Sequence, residues 1–214
     1  MTMTTVNQAC TKPKMVHWKS KRVMDIALCM IALPVLAPVL SLIALAVKTS
    51  SRGPAFFVQT RVGLDGRTFE MLKFRSMYVD AEQRRSEVAK QSDREGICLK
   101  LKRDPRVTPI GRVLRRWSLD ELPQVLNVIK GDMSLVGPRP ALTCEVAQYP
   151  EIAHKRHNVL PGITGLWQVS GRAEIGFDGM IALDLDYVRQ VSVATDIHIL
   201  LRTVSAVIGG RGAY

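Results

Sequence analysis

From Ile26 to Val47 the chain carries no charge and one hydroxyl, that of Ser41, over 22 positions. This run constrains the fold more than any other feature, because about 20 apolar residues in a helix cross the ~30 Å hydrocarbon layer of a bilayer. A membrane helix, a buried helix of a soluble core and a cleaved signal peptide are the readings of such a run. The signal peptide fits least, since the run is long, begins after 25 residues and lacks a small-residue cleavage site. Pro34 and Pro38 fall in its middle, and each removes a backbone donor and crowds the preceding turn. Lys19, Lys21 and Arg22 precede the run, while Lys48 and Arg52 follow it. A simple span is basic on its cytoplasmic side only. Basic flanks at both ends therefore favour a helix–break–helix that enters and leaves by one face over a kinked span, provided the backbone freed at the break is locally satisfied.

The balance of 30 Lys+Arg against 19 Asp+Glu leaves a net charge of +11, which calls for an anionic partner: nucleic acid, lipid headgroups or phosphorylated substrates. Nucleic acid is excluded as the reading, because no binding motif or aromatic–basic interleaving is present and the apolar run contradicts it. With 47% apolar and 23% charged residues the chain is not wholesale disordered. Cys10, Cys29, Cys98 and Cys144 are scattered without a CxxC pair, so neither a disulfide framework nor a zinc ribbon fits, and a reducing cytosolic face does.

After Lys48 the composition becomes that of a soluble domain. Ser50-Ser51-Arg52-Gly53-Pro54 is a linker of breakers. Ala55 to Val62 and Thr68 to Phe74 are strand-like around an Asp65-Gly66 turn, which predicts a hairpin. Asp80 to Glu95 is polar, an exposed helix or a loop. Leu122, Val125, Leu126 and Ile129 follow helical spacing up to Lys130-Gly131, a basic last turn and a glycine cap. Ile197, Leu200, Leu201, Val204, Val207 and Ile208 repeat that spacing, and such a stripe packs on a core more often than it lies in a membrane interface.

Ser118-Leu119-Asp120-Glu121 admits two readings. Ser-x-x-Glu is a capping box, with Asp120 as an alternative N-cap. The neighbourhood favours chemistry instead: Arg112, Arg115 and Arg116 lie upstream, and the rigid turn Gly137-Pro138-Arg139-Pro140 follows. Carboxylates among fixed arginines suit phosphoryl transfer, in which developing charge is shared between a guanidinium and a cation. Adjacent carboxylates also suit Mg²⁺, which takes one or two protein oxygens.

Several ordered motifs resemble those of the bacterial sugar transferases, the small monotopic phosphoglycosyl transferases or undecaprenyl-phosphate sugar phosphotransferases. They are Asp25 to Lys48, Gly53-Pro54-Ala55-Phe56-Phe57, Lys73-Phe74-Arg75-Ser76-Met77, Ser118 to Gln124, Lys130 to Pro140, Pro161-Gly162-Ile163-Thr164-Gly165, Gln168-Val169 and Gly171-Arg172. The resemblance runs from about Lys21 to the C-terminus, and the short N-terminus and the Gly209–Tyr214 tail look like the exopolysaccharide-production branch. It implies transfer of a sugar 1-phosphate from a UDP-sugar to a polyprenyl phosphate, with release of UMP. The sugar expected from that branch is a hexose such as galactose or glucose. The resemblance places the nucleophile and a Mg²⁺ ligand (Mn²⁺ is the substitute) on Asp120, its acidic partner on Glu121 and a phosphate contact on Arg139. Arg115 is carried over as a nucleotide contact, and Lys73 and Arg75 as phosphate or membrane-surface contacts. The family's membrane kink is often Ser-Pro, whereas Ala37-Pro38 stands here, with Pro34 as a second break.

The expected architecture is α/β-like, of the α+β kind. Residues 1–22 form a basic N-terminal segment, 23–48 a re-entrant membrane helix, and 49–214 a catalytic domain with a β-hairpin and several amphipathic helices. That domain is expected on the cytoplasmic face of the bacterial inner membrane, against anionic lipid and within reach of downstream glycosyltransferases. An inactive scaffold subunit for polysaccharide assembly is the competing class, which the presence of Asp120 and Glu121 disfavours. His154-Lys155-Arg156-His157 reads as a basic surface, Asp184 and Asp186 as a solvated face, and Trp18 and Trp167 as packed rings more than interfacial anchors.

Overall fold

The computed structural model describes residues 15–84, 104–171 and 175–209. Arg172, Cys10, Cys98, positions 85–95 of the polar stretch and 210–214 of the tail lie outside these residues. The fold mixes helices with two small sheets, in agreement with an α+β reading.

Helix α1 (Met15–Ser50) runs through Pro34 and Pro38 without interruption, so the break expected at the prolines is not a break in the helix. Each proline deletes one donor and can bend a helix without ending it. Ser41, the single hydroxyl of the run, donates to the carbonyl of Ala37 at 2.9 Å and adds a bond in the turn around Pro38. Only 6% of its most apolar window is buried, which sets α1 apart from a core helix.

Both ends of α1 are nonetheless held by the rest of the chain. At the N-terminal end Asp25 accepts from Ser134 Oγ (2.8 Å) and Leu135 N (3.2 Å). Arg22 donates to the carbonyls of Val128 and Ile129. Lys21 reaches Val136 O at 2.9 Å, Tyr187 Oη at 3.1 Å and the Asp196 carboxylate. These basic residues are therefore engaged by protein groups and are not free flanking charges. At the C-terminal end Val47 packs with Phe74 and Leu114. Arg75 Nη2 caps the helix through Ser51 O (2.8 Å) and Ser51 Oγ (2.9 Å), the usual place for a cation. Between the two ends Ile31, Val35 and Leu42 remain 68–74% exposed.

Strands β1 (Phe56–Val62) and β2 (Thr68–Phe74) form the expected hairpin, in the register Phe57↔Lys73, Gln59↔Met71 and Arg61↔Phe69. Asp65 (φ 53°) and Gly66 (φ 77°) both turn left-handed at its tip. Helix α2 (Pro109–Arg116) starts at Thr108, whose side chain accepts from Gly111 N, and carries Pro109 at its first position. A 3-10 helix (Leu119–Gln124) leads into α3 (Val125–Lys130), which Gly131 ends at φ 103°. The 3-10 turn winds differently from an α-helix and shifts the apolar stripe. Val125 and Val128 are buried, whereas Leu126 is 47% exposed.

Strand β3 (Ser134–Val136) pairs in parallel with β4 (Gly162–Thr164). A Cβ on Gly137 would lie 2.3 Å from Leu160 O, and one on Gly162 would lie 2.0 Å from Gly137 N. Only bare backbone fits where the two glycine-bearing segments cross, and this crossing fixes the turn that follows Gly137. Helices α4 (Thr143–Val146), α5 (Leu166–Ser170), α6 (Phe177–Gln190) and α7 (Val193–Gly209), with a 3-10 helix at Glu151–Asn158, complete the described elements. Trp167 is buried in the cluster under α6 and Trp18 packs on the cluster between β3 and α7, so both rings are packed.

Helix α7 turns Asp196 and Ile199 inward and leaves Ile197, Leu201, Val204 and Ile208 exposed. The stripe thus faces outward, contrary to the commoner fate of such a pattern. Asp184 lies in no solvated face. It is fully buried and pairs with Arg156, while Asp186 pairs with Arg189 at the surface. In the stretch from His154 to His157, Arg156 and His157 are likewise buried, so it is not a basic surface.

Candidate active site

Ser118 precedes the acidic pair in a left-handed conformation (φ 55°, ψ 23°), an unusual one for a residue with a Cβ. Its side chain makes no cap bond, so the capping-box reading of Ser118 and Glu121 is not what the structure builds. Glu121 turns instead toward the hairpin and the Arg139 turn. Its Oε1 accepts from Lys73 Nζ at 2.9 Å and from Arg139 Nη1 at 3.0 Å. Lys73 is delivered by β2, and β2 is held against the acidic segment by Asn127. Asn127 Oδ1 accepts from Leu72 N at 3.0 Å, and its Nδ2 donates to Glu70 O at 2.7 Å.

Asp120 is placed differently. It is 8% exposed, and among the described residues its carboxylate accepts no hydrogen bond and forms no ion pair. Burial, then the negative charge of Glu121, pushes its pKa up, against the pull of Lys73, Arg115 and Arg139. Asp120 lies in a 3-10 turn, and there desolvation outweighs the cations. For Glu121 the balance is reversed. Burial alone would raise its pKa, but Lys73 and Arg139 hold it well below the usual carboxylate range. Two adjacent carboxyls are thus pushed in opposite directions by their surroundings, the pattern that separates roles in acid–base and nucleophilic sites.

Cations surround the pair. Burial depresses the Lys73 ammonium, with Glu121 opposing, while Glu121 is the chief cause of a raised Arg139. Arg115 donates from Nε to Ser76 Oγ at 3.0 Å and feels the charge of Asp120. Arg61 is a member that sequence reasoning missed. It donates to Pro140 O at 3.0 Å and to Gln59, and burial followed by repulsion from Arg139 lowers it to about 10. Its signal was the hairpin register, since Arg61, Gln59, Met71 and Lys73 share one face. Arg75 belongs elsewhere, at the end of α1, although it is two residues from Lys73. Arg156 supports the site from behind, donating to Arg139 O at 2.9 Å while paired with Asp184.

Four cations, Arg61, Lys73, Arg115 and Arg139, thus meet Asp120, Glu121 and the nearby Glu145. Among the described residues no group of three His, Cys, Asp or Glu forms a metal cage. A buried carboxylate with its oxygens unused beside a second carboxylate is the donor set of a hard cation that keeps most of its ligands as water or phosphate. The residues present fit Mg²⁺ on Asp120.

A cation-lined cleft on a small α+β domain that carries one long apolar helix defines the class. Residues 16–210 match the family described as bacterial sugar transferase, and the chain belongs to that family. It is 41% identical over 199 residues to the exopolysaccharide production protein ExoY of Sinorhizobium fredii, covering 91% of this chain and 88% of that protein. It is 44% identical to the galactosyl transferase CpsE of Streptococcus agalactiae, covering 92% of this chain and 44% of the relative. The UDP-glucose:undecaprenyl-phosphate glucose-1-phosphate transferase of Escherichia coli is 43% identical, covering 91% and 41%. The chain thus spans less than half of the last two.

Proposed function

We propose that this protein is a phosphoglycosyl transferase that moves a sugar 1-phosphate from a UDP-sugar to undecaprenyl phosphate or a related polyprenyl phosphate. The observation that carries the reading is the buried Asp120 carboxylate, unpaired among the described residues, beside a Glu121 already clamped by Lys73 and Arg139. The activities for which two relatives are named, galactosyl transferase and glucose-1-phosphate transferase, support the class and favour a hexose.

An Asp120 oxygen attacks the sugar-linked phosphorus of the UDP-sugar. A bond forms between that oxygen and phosphorus, the bond from phosphorus to the bridging oxygen breaks, and UMP leaves with that oxygen. An oxygen of the polyprenyl phosphate then attacks the same phosphorus, frees Asp120 and yields the polyprenyl diphosphate sugar. Arg139 and Lys73 hold phosphoryl oxygens, and Glu121 keeps both cations aimed and charged. Arg115 contacts the nucleotide. Bound at Asp120, Mg²⁺ supplies charge neutralisation for the phosphates.

The membrane placement rests on the exposed centre of α1, the outward stripe of α7, and Phe56 and Phe57 at 42% and 44% exposed. Because both ends of α1 rest on the same chain body, we place them on the cytoplasmic face, with the proline-bearing centre dipping into the bilayer. Cysteines introduced at Ser20 and Ser51, in a background without native cysteines, are both shielded from an impermeant thiol reagent in intact cells; labelling of one alone establishes a span. The catalytic reading is tested on membranes with a panel of UDP-sugars. UMP release that needs polyprenyl phosphate for turnover and stops with EDTA supports it, and no release from any UDP-sugar refutes it.

A further inference from the structure

Gln124 is 2% exposed, and its Nε2 has no hydrogen-bond partner among the described residues. It lines the cleft that Lys73, Glu121 and Arg139 also line, floored by Met71 and Ile163. The position follows from local geometry. Glu121 and Gln124 are three residues apart in a 3-10 helix, where side chains at i and i+3 eclipse, so the amide sits one turn from Glu121 on the same face.

Asn127 provides the contrast. It is also a buried amide, three residues further on, but it is used up in bonds to Leu72 N and Glu70 O. Leaving a buried amide donor unmade is unfavourable, and native structures keep few such groups. Gln124 is thus a buried donor at the wall of a cleft in which the other donors are an ammonium and a guanidinium. Gln124 lines that cleft with its Nε2 enclosed, so a turn of the amide aims this donor into the cleft beside the other two, and three such donors select an acceptor with several oxygens and negative charge.

We propose that Gln124 Nε2 donates to a phosphoryl oxygen of the donor's diphosphate, which makes it a substrate-contacting residue of this site. The proposal rests on the phosphoglycosyl transferase reading. No bond forms or breaks at Gln124; it orients the diphosphate between Arg139 and the face of Asp120. Gln124→Met keeps the volume and removes the donor, and because it removes an unpaired buried polar group it leaves the melting temperature of the substrate-free protein unchanged or higher. Gln124→Glu sets a second negative charge beside Glu121 and is the worse variant for an anionic ligand.

The test compares wild type and Gln124→Met in kcat/KM for the UDP-sugar and for polyprenyl phosphate, together with the melting temperature. The expected result is a loss on the order of ten- to a hundredfold in the UDP-sugar parameter, as for one hydrogen bond to a charged acceptor. The polyprenyl phosphate parameter and the melting temperature hold. An unchanged UDP-sugar parameter, or a loss confined to polyprenyl phosphate, overturns the proposal. The second arm needs no turnover. UDP-sugar raises the melting temperature of Asp120→Asn, and adding Gln124→Met removes that rise. An equal rise in both proteins sinks the role of Gln124 while leaving the transferase reading intact, whereas a wild type without UMP release sinks the transferase reading by itself.

Discussion

The cluster of buried charges under α1 and the one at the cleft are built differently. Beneath α1, Lys21 spends its three donors on Val136 O, Tyr187 Oη and Asp196, and the second oxygen of Asp196 bonds Tyr187 at 2.8 Å. At the cleft, among the described residues, the Asp120 carboxylate accepts no hydrogen bond, Gln124 Nε2 has no partner, and Glu121 serves both Lys73 and Arg139. The first cluster is saturated and ties three helices and a strand together. The second leaves buried polar capacity unused, which is costly for a fold and useful for a site that must receive phosphates. Burial of charge does not by itself mark function; here the unspent capacity counts because it lies in a cleft lined by Lys73 and Arg139.

The largest expected effect breaks the saturated cluster. Asp196→Ala strands the Lys21 ammonium, and loss of one partner from a buried pair costs about 3–5 kcal/mol. Thermal or denaturant unfolding is expected to show a marked drop, with the replacement Lys21→Met/Asp196→Leu recovering much of it. Glu121→Gln, which keeps an acceptor for Lys73 and Arg139, is expected to cost less stability than Asp196→Ala while impairing turnover, and an equal loss would erase the distinction between the clusters.

Arg139→Lys comes next. The side chain is 37% exposed, so stability hardly moves. A planar fork becomes a point charge, and turnover is expected to fall on the order of a hundredfold, as when one preorganised donor is lost. Near-normal turnover removes Arg139 from the site.

A smaller effect lies in pH. Asp120 must be ionised to hold a cation, and its pKa is raised in the metal-free fold, so Mg²⁺ affinity is expected to weaken as pH falls, starting above the ordinary aspartate range, as measured by the Mg²⁺ dependence of turnover at several pH values. For stability the signs of the two carboxyls differ. Asp120, with its raised pKa, disfavours the fold at neutral pH, and that cost is relieved as pH falls. Glu121, with its depressed pKa, contributes stability above its unfolded pKa and loses it as pH falls further toward its folded value. In Glu121→Gln the decline of stability at low pH is expected to be shallower than in wild type, as measured by melting temperature against pH.

The sequence carried the hairpin almost to the residue, because alternation and the Asp65-Gly66 turn are local signals. It carried Asp120, Glu121, Arg139, Arg115 and Lys73 into one neighbourhood, since rigid Gly-Pro turns and the acidic pair stand out by type. Arg75 bonds the end of α1, a place that residue type alone does not reveal for a guanidinium. Asp184 and Arg156, Lys21 and Asp196, and Arg61 and Pro140 are meetings between distant segments, and none leaves a mark at either position alone. The helix phase near Leu126 was misread because Pro123 and the 3-10 winding precede a short α3, and an ideal α-helical period does not describe that join.

Asp120→Asn tests the account most directly. The cluster comparison predicts that removing this unpaired buried charge leaves the melting temperature equal or higher, where loss of a helix cap would cost about 1 kcal/mol. UMP release from the UDP-sugar and formation of the lipid product both vanish. An Asp120→Asn protein that stays folded and keeps a substantial fraction of wild-type UMP release contradicts the account.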